Sequence, residues 1–324
     1  MLPYLEAIMR VYNRYGRRDN KYKARIKILL AETGLETLQE QVAQERKLID
    51  SKPFEQIDAE LARITDSLIK PDYSAASNSD QGNTDSEHTN TAFLEWKRQN
   101  VVAHKQAGYA IAMISLKPAG GIPGDATSAQ MRAVADISER YSFAELRVTH
   151  RQNLVLPHVK ESDLYSVWQA LTQVELAEGN IDLPSDIIAC PGLDYCALAT
   201  ARSIPIAQAV SKKIRHTETT TDLSGVSVNI SGCINACAHH HVASIGVLGL
   251  NKGGVENYQL TLGGRNDQKA SIGERLGPGV SGDDVPDAIE KIITIYTDVR
   301  EAGESLSDTY DRVGKEPFKD AVYA

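Results

Sequence analysis

"SGCINACAHHH", residues 231–241, sets two cysteines four positions apart and follows them with three histidines. The other two cysteines of the chain stand in "ACPGLDYCALA", residues 189–199, so all four thiols fall within two short stretches. Cys190 and Cys196 are separated by five residues, with Pro191 and Gly192 opening a tight loop between them. Cys233 and Cys237 lie at i and i+4, and if "CINAC" is the first turn of a helix both sulfurs point to one side of it. Gly232 lets the backbone come close to whatever the thiolates hold. The pair also follows the strand-like "VSVNIS" of 226–231, a usual place for function in an α/β unit.

The rest of the chain is that of an ordinary globular protein. It has 324 residues, 42% hydrophobic and 24% charged, enough for roughly two domains with a sizeable core. A formal net charge of −8 argues against a nucleic-acid binder. No apolar run reaches the ~20 residues of a membrane span. The N-terminal "MLPYLEAIMRVYNRYGRRDN" lacks the charge, apolar and cleavage-site order of a signal peptide, so the expected home is the cytoplasm. There thiols stay reduced unless they hold metal, which weighs against two disulfides.

Residues 3–49 carry apolar side chains at helical spacing with a break near Gly34, and "SKPFEQIDAELARITDSLIK", 51–70, predicts a further short helix. "PDYSAASNSDQGNTDSEHTNT", 71–91, has almost no large apolar side chains and is expected to be a linker. Beyond it strands and helices alternate. "YAIAMISLK" and "ELRVTHRQNLVLPHV" are strand material, while "SAQMRAVADISERY" and "ESDLYSVWQALTQV" are amphipathic helices. From Asp182 a second unit holds the cysteines, the strands "VSVNIS", "SIGVLGL" and "NYQLTLGG", and a helical tail after Val285. The expected fold class is α+β. A helical segment (1–70) and a polar linker (71–92) precede a ferredoxin-like half domain (93–180) and an α/β cysteine-bearing domain (181–324).

Four thiolates suit zinc or an iron–sulfur cluster equally well by ligand type. Gaps of five and three residues match the commonest zinc knuckle poorly, and a four-iron cubane accepts less regular spacings. Spacing therefore leans toward the cluster, with a structural zinc clip as the alternative.

The motif C-x5-C, 36 intervening residues and C-x3-C resembles that of the sirohaem-dependent sulfite and nitrite reductases. "GCINAC" is similar to that family's G-C-x-N-x-C, and "ASIGVLGL" with "YQLTLGG" to its strand and double-glycine segment. "ELRVTHRQNLVLPHV" resembles the R-x-T-x-x-Q-N-L strand of its ferredoxin-like half. "NRYGRRDNKYKARIKILLAETG" looks like the helix ending its first half, and "EPFKDAVYA" like its C-terminus. The likeness covers nearly all of residues 3–324 outside the linker.

The resemblance implies that Cys190, Cys196, Cys233 and Cys237 hold a [4Fe–4S] cluster, with the Cys237 sulfur also bridging to the iron of sirohaem. It implies that the amide of Asn235 donates hydrogen bonds near these cofactors and tunes them. Sirohaem carries eight carboxylates, and the segment from Arg14 to Lys27 has seven basic residues against one acid, Asp19. Arg18, Arg25 and Lys27 align with basic positions of the family and are the expected carboxylate partners. Arg147, Thr149, Gln152 and Asn153 lie on the strand that borders the cofactor in the family, and strand alternation puts Arg147 and Thr149 on one face. His239, His240 and His241 point three ways on a helix and cannot serve one ion together. Gly263 and Gly264 mark a tight backbone approach.

The activity implied is that of the cluster-bearing C-terminal half of an assimilatory sulfite or nitrite reductase. It is a six-electron reduction of sulfite to sulfide or nitrite to ammonia. Family members have two similar halves, and the cations that grip the small anion substrate come largely from the first. This chain begins at the end of that half, so no residue is assigned to substrate or catalysis. A first half is expected as partner, as a separate chain or lost by truncation, with ferredoxin or a flavoprotein as electron donor. The rival reading is an iron–sulfur electron-transfer module with no substrate site of its own.

Overall fold

The computed structural model describes residues 1–50, 52–55, 57–68, 71–73, 89–220 and 222–324. Most of the expected linker, 74–88, lies outside the described residues. Two compact units emerge, Met1–Asp72 and Tyr73–Ala324.

The first unit is helical, with helices Leu2–Tyr15, Ile26–Thr33, Leu35–Lys47, Lys52–Glu55 and Ile57–Ser67. Ala7, Val11, Val42 and Ile49 form its small core. Arg14 reaches the buried Glu45 carboxylate at 2.7 Å, an ion pair tying the first helix to the third. The break at Gly34 lies where the spacing put it, but a second break corrects the reading of 3–49. Residues 16–25 are loop, because the first helix stops at Gly16 and an Asn20 side chain accepts the Tyr22 N–H in a local turn.

The second unit carries two sheets over two cores. The first sheet contains β1 (Val101–Ala103), β2 (Tyr109–Ile114), β3 (Arg147–Val148) and β4 (Leu154–Lys160) in the antiparallel order β1-β2-β4-β3. Helices Ser128–Tyr141 and Leu164–Gln173 pack their apolar stripes on it through Val134, Ile137, Val167 and Leu171. Thr127 and Gln130 close a reciprocal capping box at the start of the first of these helices. A helix at Thr91–Asn100, capped by the Asn90 side chain, was not foreseen and begins inside the stretch expected to be linker. Its apolar residues Phe93 and Trp96 complete the core, and burial supplies what the polar composition upstream lacks.

The second sheet has the order β5-β6-β7-β8-β9, from Ile188–Ala189, Val228–Ser231, Ile245–Lys252, Val255–Leu262 and Glu274–Arg275. β5, β6 and β7 run parallel, β8 pairs antiparallel with β7, and β9 pairs antiparallel with β8. β6 is buried along its whole length, as a central parallel strand covered on both faces should be. Helices Ile204–Thr220 and Val285–Val299 cover it, burying Val210, Ile214, Ile289, Ile292 and Ile293 against Val228, Ile230 and Val247. The tail helices Leu306–Val313 and Glu316–Tyr323 close the unit. No described helix is long and apolar enough to cross a membrane.

Candidate cysteine cradle and adjoining cavity

Both cysteine loops leave the carboxyl ends of neighbouring parallel strands, β5 and β6, where open α/β sheets place their ligands. The Cys190 N–H donates to the Ile230 carbonyl at 3.1 Å, so the first thiol sits one step beyond the ladder. A single helical turn, Gly192–Tyr195, carries the chain to Cys196. The N–H groups of Thr200 and Ala201 both reach the Gly232 carbonyl at 2.9 Å, stitching the end of the first loop to the start of the second.

This close approach depends on missing side chains. A Cβ on Gly232 would lie 2.5 Å from the Ala201 carbonyl and 2.9 Å from the Gly192 Cα. Gly192 has a φ of +60°, and a Cβ there would fall 2.5 Å from the Ser203 hydroxyl. The Gly232 N–H points at the Cys190 sulfur, 3.1 Å away.

The segment 233–238 is not a helix, which corrects the expected first turn. Ala236 and His239 take left-handed φ values of 57°, and the bonds Ala236 N–H to Cys233 O and His239 N–H to Ala236 O close two successive tight turns. Asn229 braces them through its side-chain amide on the Ala238 carbonyl at 2.8 Å. Asn235 sits half-buried in the first turn. The histidines leave in different directions. His240 is fully buried with its ring 4.0 Å from that of His241, and His239 is exposed.

Cys190 and Cys233 are buried, Cys196 is half-buried and Cys237 is exposed. Cys237 opens into a cavity of about 690 Å³ whose wall also includes His150, Arg151, Gln152, Asn229, His239 and Arg265. That volume lies in the range of small-molecule and cofactor sites. Among the described residues no three His, Cys, Asp or Glu side chains are gathered tightly enough for a single ion. Four thiols on two loops brought together at Gly192 and Gly232 fit an iron–sulfur cluster by donor type.

The cavity wall is polar and tied to carboxylates. Arg265 donates to Asp308 at 2.6 Å and to Asp267 at 2.8 Å. The Ser305 hydroxyl and then the Arg265 guanidinium draw the Asp308 carboxyl down to about 2. Arg151 pairs with Asp182 and stands 3.6 Å from Asp186. Asp186 is a buried hub. It takes the Lys117 ammonium at 2.6 Å and the Asn153 amide at 2.9 Å on one oxygen, and the Asp182 N–H on the other. Burial pushes the Lys117 ammonium pKa down, and Asp186 opposes that.

The tight hairpin turn between β3 and β4 separates residues that the sequence reading grouped. Gln152, at φ 59°, lines the cavity and is locked to β5 by a two-way bond with the Ala189 backbone. Asn153 is buried, donating to Asp186 and accepting the Leu116 N–H. Arg147 is exposed, binds Glu145, and is not among the residues lining the cavity. Thr149 is in the turn itself, its hydroxyl accepting the N–H groups of Arg151 and Asn153, and so does not continue the strand face of Arg147. Arg18, Arg25 and Lys27 belong to the helical unit. There Arg18 stacks 4.9 Å over the Tyr12 ring and binds Asn13, Arg25 donates to the Ala24 carbonyl, and Lys27 lies in the helix Ile26–Thr33.

Sequence reasoning did not single out Arg151, Arg265, Lys117, Asp186 or Ser203. A signal existed for three of them. Arg151 adjoins Gln152 in the quoted strand, and Lys117 is a lone cation ending the apolar run "YAIAMISLK". Arg265 follows the double glycine. Gly263 and Gly264 do form a tight approach, since a Cβ on Gly264 would lie 2.4 Å from the Ala243 carbonyl.

Comparison with known proteins agrees with this geometry. Residues 104–174 match the nitrite/sulfite reductase ferredoxin-like half domain. Residues 1–49 and 181–324 match the nitrite and sulphite reductase 4Fe-4S domain. The ferredoxin–nitrite reductase of Synechococcus elongatus is 25% identical over 299 residues, covering 89% of this chain and 49% of that protein. Sulfite reductase [ferredoxin] 2 of Mycolicibacterium paratuberculosis is 24% identical, covering 97% of this chain and 51% of that protein. The solved structure of the Mycobacterium tuberculosis NirA protein superposes with a TM-score of 0.65 at 22% identity, over 97% of this chain and 52% of that one, a likeness of fold. The chain spans about half the length of the curated relatives it matches.

Proposed function

Since this chain belongs to the nitrite and sulphite reductase family, we propose that it forms the cluster-bearing half of an assimilatory sulfite or nitrite reductase. The observation that carries the reading is the meeting of the two cysteine loops at Gly192 and Gly232, with Cys237 opening into the adjoining cavity. On this reading Cys190, Cys196, Cys233 and Cys237 hold a [4Fe–4S] cluster. A sirohaem would be held in the cavity into which Cys237, the exposed one of the four, opens. When bound, the two groups would supply single electrons to a reaction that consumes six.

The chain's own residues do the holding and shaping. Gly232 N–H steadies the Cys190 sulfur. Gln152 fixes β5 beneath the first cysteine loop. Arg151 and Arg265 place guanidinium groups at the cavity wall, where a carboxylate-rich macrocycle needs them, with Asp182, Asp267 and Asp308 holding them in place. Reduced ferredoxin is the proposed donor, in keeping with the names of the relatives. The second half of the reductase, covalent or separate, is proposed to close the cavity and bring the cations that grip sulfite or nitrite.

The test is anaerobic expression, alone and with a candidate first half, followed by iron, acid-labile sulfide and sirohaem determination. Four cluster irons and four sulfides per chain, with sirohaem present, is the expected result. A cluster without sirohaem even beside a first half would leave an electron-transfer module. Zinc without sulfide would overturn the reading.

A further inference from the structure

Ser203 stands just before the 17-residue helix Ile204–Thr220 and is completely buried. Its hydroxyl has one proton and in this structure donates it to the Cys190 carbonyl. The same oxygen lies 3.7 Å from the Cys190 sulfur. The cradle is built around this hydroxyl. A Cβ on Gly192 would fall 2.5 Å from the Ser203 oxygen and 2.7 Å from its backbone nitrogen, so any side chain at 192 would push Ser203 away.

We infer that Ser203 is a positioning residue for Cys190, holding its backbone through the carbonyl and offering a rotatable O–H to its sulfur. This rests on the reading of Cys190 as a cluster ligand. The sulfur already has one fixed donor in the Gly232 N–H at 3.1 Å. Ser203 differs because a hydroxyl turns about its Cβ–Oγ bond, so its proton can leave the carbonyl and follow the charge. A hydrogen bond to a charged acceptor is stronger than one to a neutral carbonyl, and it gains as the thiolate becomes more electron-rich. Adding an electron to the cluster puts charge on its sulfurs, so the O–H turns toward Cys190 in the reduced state and stabilises it. The positive end of the helix dipole, beginning one residue on, acts in the same direction. Hydrogen bonds to cluster sulfurs raise the reduction potential.

The experiment is an EPR-monitored redox titration of the cluster in the wild-type chain and in Ser203→Ala, with iron and sulfide measured on both. The expected result is full cluster content in each and a midpoint potential displaced to more negative values in the variant. An unchanged potential at full content overturns the inference. Should the alanine variant lose its cluster, Ser203→Thr decides. A threonine variant that holds the cluster at the wild-type potential supports the assignment, and one that stays empty despite its hydroxyl overturns it. A wild-type chain without cluster iron and sulfide would defeat the underlying reading before Ser203 enters.

Discussion

Gly192 and Gly232, forty residues apart in sequence, meet so closely that a Cβ on Gly232 would stand 2.9 Å from the Gly192 Cα. Real Cβ atoms essentially never come so near backbone, so a side chain at 232 would part the two cysteine loops, while one at 192 would drive Ser203 away. Gly232→Ala is expected to abolish cluster retention and to cost about 1–3 kcal/mol of stability from overpacking. Iron and sulfide content with a thermal melt check both. A variant with full cluster and wild-type Tm would show that the loops do not need this contact.

A second relationship joins the ferredoxin-like half to the cysteine sheet. The Lys117 and Asp186 side chains are almost entirely buried and pair at 2.6 Å. Lys117→Met leaves the buried Asp186 carboxylate with only Arg151, 3.6 Å away, as a cationic neighbour and should cost up to about 3–5 kcal/mol. Adding Asp186→Leu should restore part of that. Recovery stays incomplete because Asp186 also accepts from Asn153 and the Asp182 backbone. Urea unfolding of the single and double variants measures the difference, and a fully neutral Lys117→Met would refute the role given to the pair.

Glu218 gives a pH dependence with a definite sign. Burial lifts its carboxyl from 4.5 to about 7, against the hydrogen bond from the Ser185 N–H. The folded state therefore holds a proton that the unfolded chain releases. The stability this contributes is complete below pH 4.5 and is lost as the pH rises through about 7, a loss on the order of 3 kcal/mol. Glu218→Gln keeps an acceptor for Ser185 and removes the titration. The variant is expected to be more stable than wild type at pH 8 and similar at pH 4. Denaturation midpoints at the two pH values decide, and parallel curves would sink the assignment.

The thiols should not be equivalent. Cys190 is buried and hydrogen-bonded at the root of the cradle, whereas Cys237 is exposed at the cavity. Under the proposed function Cys190→Ser loses the cluster altogether, and Cys237→Ser loses the spectroscopic coupling between cluster and sirohaem. Visible absorption and EPR of the loaded protein distinguish the two outcomes. Wild-type spectra in either variant would contradict the ligand assignment.

Fold class, most of the long elements and the cysteine-bearing loops are legible from the residues alone. These features are local or periodic. Ser128–Tyr141 announces itself by apolar spacing, and Cys190, Cys196, Cys233 and Cys237 by their concentration in two short stretches. How those stretches become one site follows from long-range packing. Parallel pairing of β5 and β6 sets two distant loops side by side, and the absent side chains of Gly192 and Gly232 let them touch. Left-handed residues at Ala236 and His239 turned an expected helix into two tight turns, since backbone sign at a single residue has no periodic signature. The hairpin turn at 149–153 likewise sent Arg147 to solvent, Gln152 to the cavity and Asn153 to the core, although all three lie on one expected strand. Lys117 and Asp186, like Ser203 and Cys190, take their meaning from partners remote in the chain. Such pairs are selected by burial, because a polar group enters the interior only where a complementary one awaits it.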